Sequence, residues 1–260
     1  MDFTIKKYIE LLNALIEQGY NFQTFTEFLI APKNKSIILR HDVDILPYNS
    51  LTFAKIQASK NIKGVFYFRA VPQSWNEKVI QEIVSLGHEI GYHYECLTTC
   101  KGNSKKGIKD FEKNLIALRK FAPVSTICMH GSPISKFDSK DLWKNYNYKD
   151  FGIIGEPYFD IDFDKIFYLT DTGRKWDGSK ESVRDKVNSR FNISFHFTDE
   201  IILACRKGLL PDQIMFTFHP QRWNDNHYLW TKELIIQNIK NKIKKYFYIK
   251  SDLTSFNNKL

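Results

Sequence analysis

The stretch Ile37-Ile38-Leu39-Arg40-His41-Asp42-Val43-Asp44 decides how the rest of this chain is read. Its first residues are branched and apolar, and the turn-prone run Ala31-Pro32-Lys33-Asn34-Lys35 precedes them, which predicts a buried strand. The character then switches to arginine, histidine and two carboxylates, with Pro47 close behind. A buried parallel strand that ends this way carries its charges to the carboxyl edge of a sheet, where α/β active sites are built. If the strand persists that far, Asp42 and Asp44 project to one side, roughly 7 Å apart by strand rise. Solvated charges at a surface strand end would look the same in isolation. A second cluster, Gly87-His88-Glu89-Ile90-Gly91-Tyr92-His93-Tyr94-Glu95, weighs against that reading.

Working outward, the pattern repeats. Upstream, residues 4–18 place Tyr8, Leu11, Leu12, Leu15 and Ile16 on one helical face, with Gly19 as a stop, and a shorter helix covers 24–29. Downstream, helices are expected over 50–61, 77–86 and 105–121, and strands over 64–69, 89–93 and 126–129. The region 136–192 is less regular, although 165–170 reads as a strand that runs into Asp171-Thr172-Gly173-Arg174-Lys175-Trp176. Alternation resumes with a helix over 199–208 and a strand over 214–218 that ends in His219-Pro220-Gln221-Arg222-Trp223. A basic helix lies within 227–250, and the last ten residues read as loose. Regular strand–helix alternation predicts a parallel α/β sheet or barrel. With no internal repeat or linker, 1–260 is taken as one domain: a helical extension over 1–35, a core over 36–220 and the basic helix.

Composition is that of a globular chain, with 260 residues, 43 % apolar and 26 % charged. The net charge of +9 invites nucleic acid or an anionic surface. The lysines, however, are spread along the chain, with one dense cluster at Lys240-Asn241-Lys242-Ile243-Lys244-Lys245, which suits a solvated helix face. No nucleic-acid partner is expected; membrane-surface contact through 240–245 stays open. The start, Met1-Asp2-Phe3, is no signal peptide, because Lys6, Lys7 and Glu10 break the first apolar run. Nowhere do about 18 apolar residues run together, so no membrane span is expected. Four scattered cysteines (Cys96, Cys100, Cys128, Cys205) fit a reduced, cytoplasmic setting. Cys96 and Cys100 have the look of a metal pair, but no second cysteine pair lies near them, and free thiols are the expectation.

The polar residues cluster at strand ends: Arg40 to Asp44, His93 to Glu95, His130, Asp171 to Trp176, and His219 to Trp223. Five of the seven histidines (His41, His88, His93, His130, His219) fall in or beside these clusters. In a parallel barrel such ends meet at one mouth. Carboxylate and imidazole ligands with an open position suit a zinc-like cation that activates water. A separate carboxylate can take a proton and a histidine can return one, which is the inventory of metal-assisted amide or ester hydrolysis.

Leu39 to Asp44, Gly87 to His93 and Phe216 to Pro220 resemble three signature motifs of the polysaccharide deacetylases, carbohydrate esterase family 4. The resemblance spans most of 36–220 and implies a distorted (β/α) barrel of about seven parallel strands that removes acetyl or similar acyl groups from a sugar or glycan precursor. It implies a divalent metal, zinc or alternatively cobalt, nickel or manganese. The family's first motif is usually Thr-Phe-Asp-Asp-Gly. Here Asp42 matches the catalytic base, while Asp44, as metal ligand, stands where the family has glycine. His93 matches the first histidine ligand of the second motif. Four residues on, where the family has its second histidine, stands Leu97; His130 is the candidate third ligand, with Glu95 as runner-up. His88 is expected to be structural. His219 takes the general-acid position of the late motif.

Arg40, Asp171, Arg174, Trp176, Arg222 and Trp223 are expected to line the substrate cleft, and the resemblance sets Asp171 to Trp176 where the family has an Asp and a Trp that orient the general-acid histidine. For Arg222 and Trp223, packing at a helix boundary stands beside a carboxylate clamp and sugar platform. The missing histidine and the displaced aspartate keep a second reading in view, a catalytically silent homologue that binds glycan or a biosynthetic partner.

Overall fold

The computed structural model describes residues 1–132, 135–176 and 187–257, with side chains of the last helix described as far as 243. The decisive stretch is a strand along its whole length. Strand β2, Ser36–Val43, is buried at every residue, so Arg40, His41 and Asp42 lie inside the strand rather than beyond its end. The backbone there is satisfied from both sides. One edge of β2 pairs with β7 (Gln213–Phe218) over Ser36 to His41. The other edge is shared by two strands in tandem: β1 (Asn21–Gln23) against Ser36 to Ile38, and β3 (Val65–Phe68) against Arg40 to Val43. At three residues, β1 is too short for periodicity to reveal.

With β4 (Glu89–Tyr94), β5 (Ile127–Met129) and β6 (Phe167–Thr170), the sheet has seven parallel strands in the order β5-β4-β3-β2-β7-β6, β1 lying off this path. Among the described residues β5 and β6 do not pair with each other. The chain between them holds two 3₁₀ turns, Ser139–Lys144 and Tyr148–Phe151, the short helix Pro157–Asp160, and a single parallel bridge from Thr126 to Gly155. The result is a distorted (β/α) barrel, curled and open on one side.

Alternation along each strand sorts its residues onto two faces. Ile37, Leu39, Val43, Phe66, Phe68, Ile90, Tyr92, Tyr94, Phe216 and Phe218 belong to the larger core, against the helices. These helices include Ile5–Glu17, Pro47–Ala58, Glu77–Ser85, Ser104–Arg119 and Thr198–Arg206, each within a few residues of its expected span. The concave face carries Ile38, Val65, Tyr67, Cys128 and Met215, and a second cluster fills it with Phe25 and Phe28 from the short helix Phe25–Ile30 and Ile161, Phe163 and Ile166 from the irregular region. Further along the strands that face is polar: Arg40 and Asp42 follow Ile38, and His93 follows Gly91, in steps of two. Gly91 is required here, since a Cβ would lie 2.2 Å from the Tyr67 ring.

Two of the five clustered histidines face away from this concavity. His41 stacks on Phe66 at 4.1 Å and bonds Val65 O through Nδ1 at 3.0 Å, while Gln57 Nε2 donates to its Nε2 at 2.8 Å. Burial pushes its pKa down to about 3, so it is a neutral core residue. His88 accepts from Gly64 N at 3.1 Å and donates to Ala54 O at 2.9 Å, bracing the entry to β4.

The final helix spans His227–Asn257, further than its expected end. No glycine or proline follows Pro220, so nothing in the sequence breaks it. Lys244 and Lys245 of the basic cluster have side chains outside the described residues. Among the described residues no disulfide forms, and no helix is long and apolar enough to cross a membrane. Cys96 is fully buried, which pushes its thiol up to about 12.

Candidate active site

Asp44 follows β2 directly and meets two imidazoles. Its Oδ1 lies 3.6 Å from His93 Nε2 and 3.4 Å from His130 Nε2. Both rings are held from behind. His93 Nδ1 donates to the Cys128 carbonyl at 2.9 Å, which leaves the Nε2 lone pair facing Asp44. His130 Nδ1 donates to Glu95 Oε2 at 3.1 Å, and Glu95 is gripped by Arg69 through Nε and Nη2, both at 2.9 Å. Arg69 also donates to the Asp44 carbonyl at 3.2 Å. Such partners on the far nitrogen orient a histidine for a metal.

The donor set fits a divalent cation. Asp44 Oδ1 is buried without a hydrogen-bond partner, a costly arrangement for a carboxylate oxygen unless a ligand completes it. Bonds of about 2.0–2.1 Å in tetrahedral geometry put donor atoms roughly 3.3 Å apart, close to the spacing seen. Burial alone would raise the Asp44 pKa, but His93, His130 and His219 outweigh it and hold the carboxyl well below the usual carboxylate range. Asp42, His93 and Cys128 also approach one another closely enough to share a cation. There, however, Asp42 already accepts from Arg40 with both oxygens, at 2.8 and 2.7 Å, so the Asp44 set is the better ligand group.

Asp42 sits on the same face as Asp44, its Oδ2 3.5 Å from His93 Nε2. His219 approaches from the end of β7, with Nε2 3.9 Å from Asp44 Oδ2. Its Nδ1 donates to Asp171 Oδ1 at 2.6 Å. Asp171 is the hub of this side: it also accepts from Arg222 Nη1 at 2.9 Å, from Trp223 Nε1 at 2.6 Å and from the His219 backbone N at 2.9 Å. Burial would raise the Asp171 pKa; the charges of His219 and Arg222 overcome it and lower the pKa.

The six residues expected to line a substrate cleft are all at most 7 % exposed. Arg40 is occupied by Asp42. Arg222 and Trp223 bind Asp171, so the carboxylate they clamp is the protein's own. Arg174 stacks on Trp230 at 4.3 Å and donates to its carbonyl at 2.8 Å. Trp176 donates to Thr198 Oγ1 at 2.9 Å and packs edge-on against Phe218. The aromatic rings fill the core behind the site, and the arginines are held there by Asp42, Asp171 and the Trp230 carbonyl. Leu97, where the resemblance implies a histidine, is also core at 4 % exposure. Glu95 supports His130 rather than taking its place. Two residues were not anticipated: Arg69, and Gln221, whose Nε2 donates to Asp44 Oδ2 at 3.3 Å. Arg69 carries the same signature as the others, a charge directly after the apolar run Val65 to Phe68.

Asp171→Asn is expected to destabilise the fold by about 3–5 kcal/mol at neutral pH, because it leaves Arg222 buried without its counter-charge. A carboxyl with a lowered folded pKa stabilises above its unfolded value and loses that contribution as pH falls through the folded one. The wild type should therefore lose stability below about pH 4. The variant should show a shallower acid slope in urea titrations, and an unchanged slope would contradict this role.

No protein-family model matches the chain, and no curated protein matches it. Among solved structures it is similar to a CE4 family pseudoenzyme from Bacillus anthracis, at 15 % identity and a TM-score of 0.46, over 82 % of this chain and 63 % of that one. It is similar to a Streptococcus mutans CE4 esterase at 15 % identity and a TM-score of 0.45, over 90 % of each chain. A family 4 carbohydrate esterase from Bacillus anthracis is similar at 12 % identity and a TM-score of 0.41, over 93 % of this chain and 89 % of that one.

Proposed function

We propose that this chain is a metal-dependent hydrolase that removes an acetyl or similar acyl group from a sugar or glycan precursor. The observation that carries this reading is the unpartnered Asp44 Oδ1 set against two imidazole lone pairs, with Asp42 and His219 beside it. The motif resemblance to the polysaccharide deacetylases supplies the substrate class. Asp44, His93 and His130 would hold the cation. A divalent cation there supplies Lewis acidity toward an acyl carbonyl and acidifies water.

The chain's own residues supply the rest. Asp42 is fixed by Arg40 in a bidentate pair, so its carboxylate is held in place to accept a proton without reorganising. His219 presents Nε2 to the site while Asp171 fixes its other nitrogen, the arrangement needed to deliver a proton to a departing amine or alcohol. Arg69, Glu95 and Gln221 keep the ligands in position.

Protein prepared without chelator is expected to carry about one divalent cation per chain and to release acetate from N- or O-acetylated sugars. A chain that binds the metal yet releases nothing from either class would favour the silent, glycan-binding reading. A folded chain that binds no divalent cation would remove the basis of both the hydrolase and its ligand set.

A further inference from the structure

The turn after β7 divides its side chains between two directions. It is a 3₁₀ turn, Pro220–Arg222, closed by Arg222 N donating to His219 O at 2.9 Å and Trp223 N to Pro220 O at 3.2 Å. Asn49 Nδ2 pins it from outside, donating to Pro220 O at 3.4 Å. Arg222 and Trp223 turn back to Asp171, behind His219. Gln221 turns to the front of the site, where its Nε2 donates to Asp44 Oδ2 at 3.3 Å. An ionised carboxylate can only accept, so the nitrogen of the Gln221 amide must be the atom that faces it. The amide oxygen is thereby fixed as an acceptor beside the carboxylate. Gln221 is 9 % exposed, and its Oε1 is buried with no hydrogen-bond partner among the described residues. Leaving a buried carbonyl oxygen unpaired costs about 1–3 kcal/mol. An acceptor held in place at that cost suits a donor that arrives with the substrate.

We infer that Gln221 Oε1 reads the N–H of an amide, so that the site selects an N-acylated amino sugar over an O-acylated sugar. The inference rests on the hydrolase reading above and narrows its substrate to one bond. The atom that departs in acyl hydrolysis must come near His219 Nε2, which stands 3.9 Å from the same Asp44 Oδ2 that Gln221 holds. In an amide that atom carries a hydrogen, and an acceptor next to it gains a bond. In an ester it is an oxygen with lone pairs only, and Oε1 would face it unpaired. Buried polar groups left unpaired are what make a site reject an analogue that lacks the matching donor. The neighbouring carboxylates are already committed: Asp42 accepts from Arg40, and Glu95 from Arg69 and His130. A sugar hydroxyl or a water would also satisfy Oε1, but neither distinguishes the two bonds.

The test uses the methyl glycosides of N-acetylglucosamine and of 2-O-acetylglucose, which differ at the reacting bond alone, with the metal-loaded chain and its Gln221→Met variant. Methionine keeps the length of the side chain and removes the acceptor. Circular dichroism and a Zn²⁺ titration establish that the variant is folded and loaded. The ratio of kcat/KM for the amide to that for the ester is expected to fall by about tenfold or more in the variant, whatever loss the two substrates share. Calorimetric binding to the chain freed of metal, where nothing turns over, should show the wild type favouring the amide and the variant favouring neither. Should the variant not fold, the wild-type binding preference decides alone. An equal loss for both substrates would reduce Gln221 to a support for Asp44 and overturn the inference while leaving the hydrolase reading intact. A metal-free wild type without preference for the amide would do the same. A folded, loaded wild type that hydrolyses neither glycoside would overturn the hydrolase reading, and this inference with it.

Discussion

Replacing His93 by alanine is expected to abolish cation binding and acyl hydrolysis together. His93 Nε2 is one of three candidate ligand atoms, with Asp44 Oδ1 and His130 Nε2, and its orientation is fixed by the bond from Nδ1 to the Cys128 carbonyl. Loss of a partner behind a ligand typically weakens metal affinity ten- to a hundredfold, on the order of what Glu95→Gln should cost through His130. Loss of the ligand itself should exceed that, leaving no measurable binding in a calorimetric titration with Zn²⁺. The metal-free fold should survive. The substitution removes one hydrogen bond to the Cys128 carbonyl, a loss of about 0.5–1.5 kcal/mol, and the pairing of β4 with β5 is unaffected. A folded His93→Ala protein with wild-type cation affinity would show that the cation, if bound, sits elsewhere.

The second large effect separates chemistry from binding. His219→Ala is expected to lower turnover by about a hundredfold or more while changing cation affinity little, since its Nε2 stands 3.9 Å from Asp44 without belonging to the ligand set. Asp42→Asn should lower turnover on the same scale. It also leaves the guanidinium of Arg40, 1 % exposed, without its counter-charge, a loss of about 3–5 kcal/mol. The two variants therefore differ in stability but share the catalytic defect. Turnover is to be compared at a temperature where circular dichroism shows both folded and calorimetry shows both metal-loaded. Near-native rates in the two would reject the assigned proton transfers and leave the silent-homologue reading standing.

Much of this site is visible in the order of residue types along the chain. An apolar run that turns abruptly to charge marks the carboxyl end of a buried parallel strand, because the backbone stays in the sheet while the side chains reach its edge. That signature located Asp42, Asp44, His93, His130, Asp171 and His219. Arg69 carries the same mark in its weakest form, a single charge directly after Phe68. The signature does not say which face of the strand a residue takes. His41 lies between Arg40 and Asp42 in sequence but on the opposite face, stacked on Phe66 in the core. A strand's two-residue period makes that difference absolute, and only the pairing register of β2 with β3 and β7 settles it.

The large polar and aromatic residues after β6 and β7 show the other limit. By composition, Arg174, Trp176, Arg222 and Trp223 suit a carbohydrate cleft. Whether they face water depends on what packs behind His219, and that is decided by contacts among segments about fifty residues apart. Asp171 is the pivot, since a carboxylate at 0 % exposure must gather donors, and the nearest ones are His219, Arg222 and Trp223. Sequence alone thus determined the parallel α/β architecture and the strand ends that carry reactive groups, because both follow from local periodicity and from where apolar runs stop. Tertiary structure alone decided that His130 stands in reach of Asp44 and His93, that Glu95 and Arg69 brace it, and that Arg222 and Trp223 gather on Asp171 behind His219. Those outcomes rest on which strands are neighbours and which face each residue takes, and neither is written in the spacing of a single element.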